Sequence, residues 1–288
     1  MKKRNKVLAL ILLISVFLLF LYNDYSNKLI KDRKEYVMTN GSTKFAHISI
    51  DDVINIFDDL KKNQYESIFE NKFLSKLSDM HNKYGTKFSL FVFYEFNDKS
   101  LNGTPTKYKD EFIKNADWLK FGFHAYSNES KYEYDYDNIE NEYLKTIEIL
   151  KSIVGEESIT NIVRLDRFVL SENNLEKLNS NEILINGLLG ADTDNRPDYY
   201  LEEEENRILF SDDYYYDDDT NVFFYNTDLR LENVPLLKLN KQLESYENDK
   251  NFIVFTHEWN FNFYKMNRVC DWINKHYYKY EYPKLMEG

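Results

Sequence analysis

His47-Ile48-Ser49-Ile50-Asp51-Asp52 reads as a short apolar strand that ends on two adjacent carboxylates. Two later strand-like segments each end on a histidine: Lys120-Phe121-Gly122-Phe123 runs into His124, and Phe252-Ile253-Val254-Phe255-Thr256 runs into His257. In an α/β fold the ends of parallel strands converge on one face, where the loops build the active site. Two carboxylates and two imidazoles arriving there together point to a metal and an acid/base pair. Taken singly, each has a plainer explanation. Asp51-Asp52 also suits a helix start, because carboxylates cap exposed N–H groups and favour the positive end of the dipole. His124 or His257 alone suits a hydrogen-bonded structural histidine.

Outward from this stretch the chain alternates strands with helices. Strands are predicted at Phe45–Ile50, Lys87–Tyr94, Trp118–Phe123, Asn161–Leu165, Ile183–Leu189 and Asn251–Thr256. Helices are predicted at Asp52–Lys62, Phe69–Tyr84, Lys107–Ala116, Asn138–Val154, Glu172–Leu178, Leu236–Tyr246 and Phe263–Tyr278. In the fourth of these, Ile139, Tyr143, Ile147 and Leu150 recur at helical spacing and the pattern stops near Gly155. Arg207–Leu209 and Val222–Tyr225 look like short strands, a hairpin across the acidic loop. Repeated β-then-α order predicts a parallel sheet or barrel in one domain.

Composition narrows the partners. The net charge is −12, with no basic stripe to offset it, which argues against nucleic acid. Much of the acid lies in Glu202–Glu205 and Asp212–Asp219. Neither run has the alternating spacing and glycine of a calcium-binding loop, so both read as solvated loop faces. With 43% hydrophobic residues the chain can fill a large core. That core must carry the stability, because the single cysteine, Cys270, excludes an internal disulfide and fits the apolar face of a C-terminal helix.

The N-terminus sets the compartment. Lys2, Lys3, Arg4 and Lys6 precede Val7–Tyr22, a stretch without charge, in the order of a secretion signal. Those residues would span about 24 Å as a helix, slightly short of a bilayer core. Asn23, Asp24 and Tyr25 follow in place of a small-residue cleavage site. The expectation is a single-pass membrane signal-anchor over 1–24, with the basic end in the cytoplasm and the body outside. A polar spacer over 25–44 and a catalytic domain over 45–288 complete the division. Secretion after signal cleavage is the alternative.

The order of these segments resembles the polysaccharide deacetylases (NodB-homology, carbohydrate esterase family four), from about Phe45 to Trp259. Ser49-Ile50-Asp51-Asp52 looks like the family's Thr-Phe-Asp-Asp motif. Phe121-Gly122-Phe123-His124-Ala125-Tyr126-Ser127-Asn128 is similar to its second motif, in which two histidines four apart hold the metal; here the second position is Asn128. Val163-Arg164-Leu165-Asp166-Arg167 falls where the family places an arginine that orients the base, although the usual prolines are missing. Gly190-Ala191-Asp192-Thr193-Asp194 resembles the motif whose aspartate tunes the catalytic histidine, and Phe255-Thr256-His257 the last motif.

The resemblance implies a distorted (β/α) barrel and a hydrolase acting on the C–N bonds of amides, removing N-acetyl or O-acetyl groups from a cell-surface or extracellular polysaccharide. By it, Asp51 is the base, Asp52, His124 and Asn128 hold a divalent ion, Arg164 or Arg167 orients Asp51, Asp192 or Asp194 tunes His257, and His257 is the acid. Trp259, Tyr126 and Arg167 would meet the substrate. Zinc comes first among the ions, with cobalt, manganese or nickel as alternatives; asparagine oxygen binds zinc more weakly than imidazole does. Two rivals stay open: a degenerate domain that binds glycan without hydrolysis, and a glycosidase using two of the carboxylates. Thr227-Asp228-Leu229-Arg230-Leu231-Glu232 is a polar cluster with no counterpart in the family, and it also suits a loop-to-helix cap.

Overall fold

The computed structural model describes residues 2–134, 136–180, 185–190 and 199–283. Its centre is a parallel sheet built from β1 (Phe45–Val53), β2 (Phe88–Phe93), β5 (Leu119–Ala125), β10 (Leu229–Arg230) and β11 (Asn251–His257), in the order β10-β11-β1-β2-β5. Strand β12 (Lys279–Tyr280) pairs with the start of β1. Strands β1, β2 and β5 are buried along almost their whole length, as a parallel sheet covered on both faces requires. A small antiparallel pair, β3 (Glu95–Phe96) and β4 (Lys99–Ser100), follows β2.

A second sheet has the order β6-β7-β9-β8, from β6 (Ile162–Val163), β7 (Gly187–Leu189), β8 (Tyr214–Asp217) and β9 (Val222–Tyr225). A parallel bridge between Phe121 and Ile159 joins the edge of β5 to the chain entering β6. Gly122 allows that approach: a Cβ there would lie 2.9 Å from the Phe91 ring and 3.0 Å from Thr160.

The connecting helices are α2 (Asn55–Asn63), α3 (Lys72–Tyr84), α4 (Lys109–Lys114), α5 (Ile139–Val154), α6 (Glu172–Ser180), α7 (Glu203–Asp212), α8 (Leu236–Glu244) and α9 (Phe263–Lys275). Cys270 is buried on α9, as its apolar setting predicts. Every crossover from β1 to β2 and from β2 to β5 carries a helix, so the C-terminal ends of these strands share one side.

Four sequence expectations change. Asp52 does not open a helix; β1 runs on to Val53 and α2 starts at Asn55. The N-terminus of α2 is satisfied instead by Glu258, which accepts from the backbone N–H of Ile54 (2.9 Å), Asn55 (2.8 Å) and Ile56 (2.8 Å). Arg207–Leu209 belongs to α7, not to a strand, because Glu203, Glu204 and Glu205 occupy the helix's positive end and Glu202 with Glu205 forms a capping box. The hairpin partner of β9 is β8, which lies within the Asp212–Asp219 run, and the turn between them, residues 218–221, starts at the end of that run. Finally, the polar spacer is helical over most of its length. Helix α1 spans Lys2–Asn40 without a break and ends at Gly41, whose φ of +77° suits glycine. Its apolar stretch is long and apolar enough to cross a membrane and is 0% buried, consistent with a signal sequence or an anchor.

His47 illustrates how tightly β1 is enclosed. It is fully buried, with Nδ1 3.0 Å from the Glu281 carbonyl and Nε2 3.1 Å from Ser89 Oγ. Burial pushes its pKa down from 6.5 to about 3. The folded state therefore binds fewer protons than the unfolded one between those values, and stability is lost as pH falls below about 6.5. His47→Gln should remove about 2 kcal/mol of the stability loss between pH 6.5 and 5, at about 1.4 kcal/mol per pH unit. Urea midpoints of the two proteins at the two pH values measure this; parallel pH slopes would refute it.

Candidate active site

Asp51 and Asp52 face different ways, and the backbone explains how. Asp52 has φ +57°, in the left-handed region that a non-glycine residue enters only at a cost, and the β1–β2 register shifts between Ile50 and Val53. This bulge breaks the strand's alternation. Asp51 points into the core and is 1% exposed, whereas the Asp52 side chain keeps 17% of its surface. Strain of this kind concentrates where a side chain must be aimed.

Around Asp51 the partners are buried. Arg164, wholly enclosed just after β6, sets Nη1 3.4 Å from Asp51 Oδ2 and donates from the same nitrogen to Ser49 Oγ at 2.8 Å. Its Nη2 donates to Thr227 Oγ1 at 2.6 Å, and that hydroxyl donates on to the Gly190 carbonyl at 2.9 Å. The guanidinium also lies 4.4 Å from the Phe255 ring centre. Burial raises the pKa of Asp51, with the Arg164 charge opposing it.

Asp52 gathers the polar groups on the open side. His124 Nε2 lies 3.1 Å from Asp52 Oδ1, and Trp259 Nε1 donates to Asp52 Oδ2 at 2.7 Å. His124 Nδ1 sits 2.6 Å from the Arg164 carbonyl, so this nitrogen is the donor there and Nε2 is the atom turned to the site. Burial works against charge on both groups, but the Asp52–His124 hydrogen bond and the neighbouring charges win. Asp52 is lowered to about 2 and His124 raised to about 9. Asp166 completes the cluster: one ligand atom from each of Asp52, His124 and Asp166 lies within 4.8 Å of the others. Arg167 and Phe168, just beyond it, both have positive φ (+61° and +59°), so the turn that presents Asp166 is tightly bent.

The third group is His257, at the end of β11 and in register with Asp51. Its Nε2 is 3.9 Å from Asp52 Oδ2, and its Nδ1 is hydrogen-bonded to Glu232. Arg230 Nε donates to the same Glu232 oxygen at 2.9 Å. Burial would raise the Glu232 pKa, yet its bond to His257 holds it down at about 2.

Of the remaining residues singled out in the sequence, Trp259 stands at the site on Asp52, and Tyr126 and Arg167 bond elsewhere. Asn128 is exposed on the turn after β5, and the carboxylate that joins Asp52 and His124 is Asp166. Trp259 is 61% exposed beside the site. Tyr126 stacks on Tyr94 at 4.5 Å and accepts from Lys145 at 2.8 Å. Arg167 donates to the Ser130 carbonyl at 2.6 Å. Asp192 and Asp194 lie outside the described residues, and the carboxylate found on His257 is Glu232. Sequence reasoning missed Asp166 and Glu232. The first stood inside the quoted Arg164–Arg167 segment, and the second inside the unassigned Thr227–Glu232 cluster. That cluster turns out to brace both Arg164, through Thr227, and His257.

Compared with known proteins, the chain matches no family model and no curated protein. The donor set can be judged on its own chemistry. Two carboxylates and one imidazole are the ligands that divalent zinc, cobalt or manganese accepts, and the bond from His124 Nδ1 to a carbonyl is the support such a ligand needs. The residues fit a divalent ion.

Proposed function

We propose that this chain is a metal-dependent hydrolase that removes acetyl groups from a cell-surface or extracellular polysaccharide. One observation carries this reading. Three differently equipped groups meet at the ends of β1, β5, β6 and β11: a buried carboxylate on an arginine, an Asp-His-Asp donor set, and a histidine on a carboxylate. The row of strands β10-β11-β1-β2-β5, continued by the Phe121–Ile159 bridge to β6-β7-β9, supports an open, distorted barrel of the polysaccharide deacetylase type.

Asp52, His124 and Asp166 would hold the divalent ion. When bound, it supplies Lewis acidity toward the amide or ester carbonyl. Asp51 takes the proton of the attacking water; its burial makes it a stronger base than a solvated aspartate. Arg164 keeps Asp51 in place through a guanidinium locked by Ser49 and Thr227. His257 gives a proton to the departing amine from Nε2, while Glu232 on Nδ1 fixes the ring and its tautomer. Trp259, exposed beside Asp52, offers an apolar face for a sugar ring or acetyl methyl group. Helix α1 serves as the membrane anchor, with the body on the extracytoplasmic side.

The test uses purified full-length protein with zinc, cobalt or manganese and N-acetylated oligosaccharides. Metal-dependent acetate release, abolished by chelator and by Asp52→Ala, is the expected result. Glycan binding without release under any of the three metals would make it a binding domain. Release that resists chelation would point to carboxylate-only chemistry.

A further inference from the structure

Helix α1 does more than precede the body. Beyond its exposed apolar stretch, Ile30 (3% exposed) and Val37 (7%) are buried against the domain, seven residues apart and so on one face of the helix. Asn274 Nδ2 on α9 donates to the Ile30 carbonyl at 3.1 Å, Lys34 Nζ donates to the Asn82 carbonyl on α3 at 2.8 Å, and the Tyr36 and Tyr277 rings meet edge-on at 5.3 Å. Ser42, just past the helix, donates to the Tyr277 carbonyl at 2.7 Å.

These partners share one end of the fold. Asn82 and Gly85 lie where α3 delivers the chain to the start of β2, and Asn274 and Tyr277 where α9 delivers it to β12, which pairs with Phe45 and Ala46 at the start of β1. The joint is therefore at the N-terminal ends of the parallel strands. The candidate site is at their C-terminal ends, about 23 Å away along β1 for the seven steps from Phe45 to Asp52 at ~3.3 Å each.

We propose that α1 is a rigid stem that seats the base of the domain toward a lipid bilayer and holds the candidate site facing away from it. The inference rests on the anchor reading of α1 and not on the chemistry of the site. From Tyr22, the last residue of the apolar stretch, to Ile30 is about 12 Å of unbroken helix, at 1.5 Å per residue. No flexible tether separates bilayer from body along it. Such a stem presents the site to polymer lying outside the membrane surface rather than to a group embedded in it.

The experiment uses the full chain in phosphatidylethanolamine–phosphatidylglycerol vesicles carrying an acceptor dye on the headgroups. A donor dye is placed at Lys83→Cys, at the base, or at Glu129→Cys, on the turn after β5; both positions are exposed, and the native Cys270 is buried. Energy transfer from position 129 should be about twofold or more below that from position 83, given a height difference of about 20–25 Å. Inserting a Gly-Ser segment after Ser26, or introducing Ile30→Asp with Val37→Asp, should abolish the difference while the protein still floats with the vesicles. Equal transfer in the unaltered chain, or stronger transfer from 129, overturns the orientation. Failure of the unaltered chain to float overturns the anchor reading and the orientation with it, and neither result touches the acetate-release test.

Discussion

Asp51→Asn is expected to lower kcat for acetate release by about 10²–10⁴-fold, the range lost when a positioned general base is removed, with KM little changed. The amide keeps the shape of the side chain and one oxygen for Arg164 Nη1, which also retains Ser49 as an acceptor. What it loses is the lone pair that takes a proton from water. Burial makes the native carboxylate more basic than usual, and this advantage disappears along with the base itself. Steady-state kinetics alongside the thermal midpoint separates the two consequences. A fall in kcat of less than tenfold in a folded variant would remove Asp51 from the role of base.

Arg164→Met should be the most damaging single change to stability. Arg164 is 0% exposed and its guanidinium ties together Ser49 and Asp51 on β1 and Thr227 ahead of β10. Methionine fills much of the volume but leaves Asp51 buried beside no cation, and breaking a buried pair by removing one partner costs about 3–5 kcal/mol. For a chain of this size that corresponds to a drop in thermal midpoint of roughly 10 °C. The double variant Arg164→Met with Asp51→Leu should recover most of the loss, because it removes the stranded charge. If the double variant is no more stable than the single one, the penalty does not come from Asp51. Arg164→Lys should fall between wild type and Arg164→Met, since an ammonium cannot reach Ser49 and Thr227 at once as a planar fork does.

The fold was legible where residue periodicity meets burial. Strands β2 and β11 are near-continuous apolar runs, and β1 and β5 are apolar at most positions before their polar ends, as strands covered on both faces tend to be. Helix α7 was not legible as a helix, because three acidic residues in a row look like a solvated loop until their position at the positive end of a helix is known. The helical spacer was missed for a related reason: Ile30 and Val37 form too sparse a stripe to be noticed without the α3 and α9 surfaces that cover it.

The sequence by itself determined that Asp51-Asp52, His124 and His257 lie at or next to the ends of their strands, and that these strands run parallel in a helix-covered sheet. Local chemistry suffices for that, since apolar runs and strand ends are properties of neighbouring residues. Only the tertiary structure decided who meets whom. Asp52 lies 114 residues ahead of Asp166, yet both reach His124, and Glu232 rather than any residue near β11 in sequence braces His257. Such pairings depend on where the crossovers return the chain and on a left-handed Asp52 that turns one carboxylate out while its neighbour stays in. Neither leaves a periodic trace, so the division of labour between the two adjacent aspartates is a property of the folded chain.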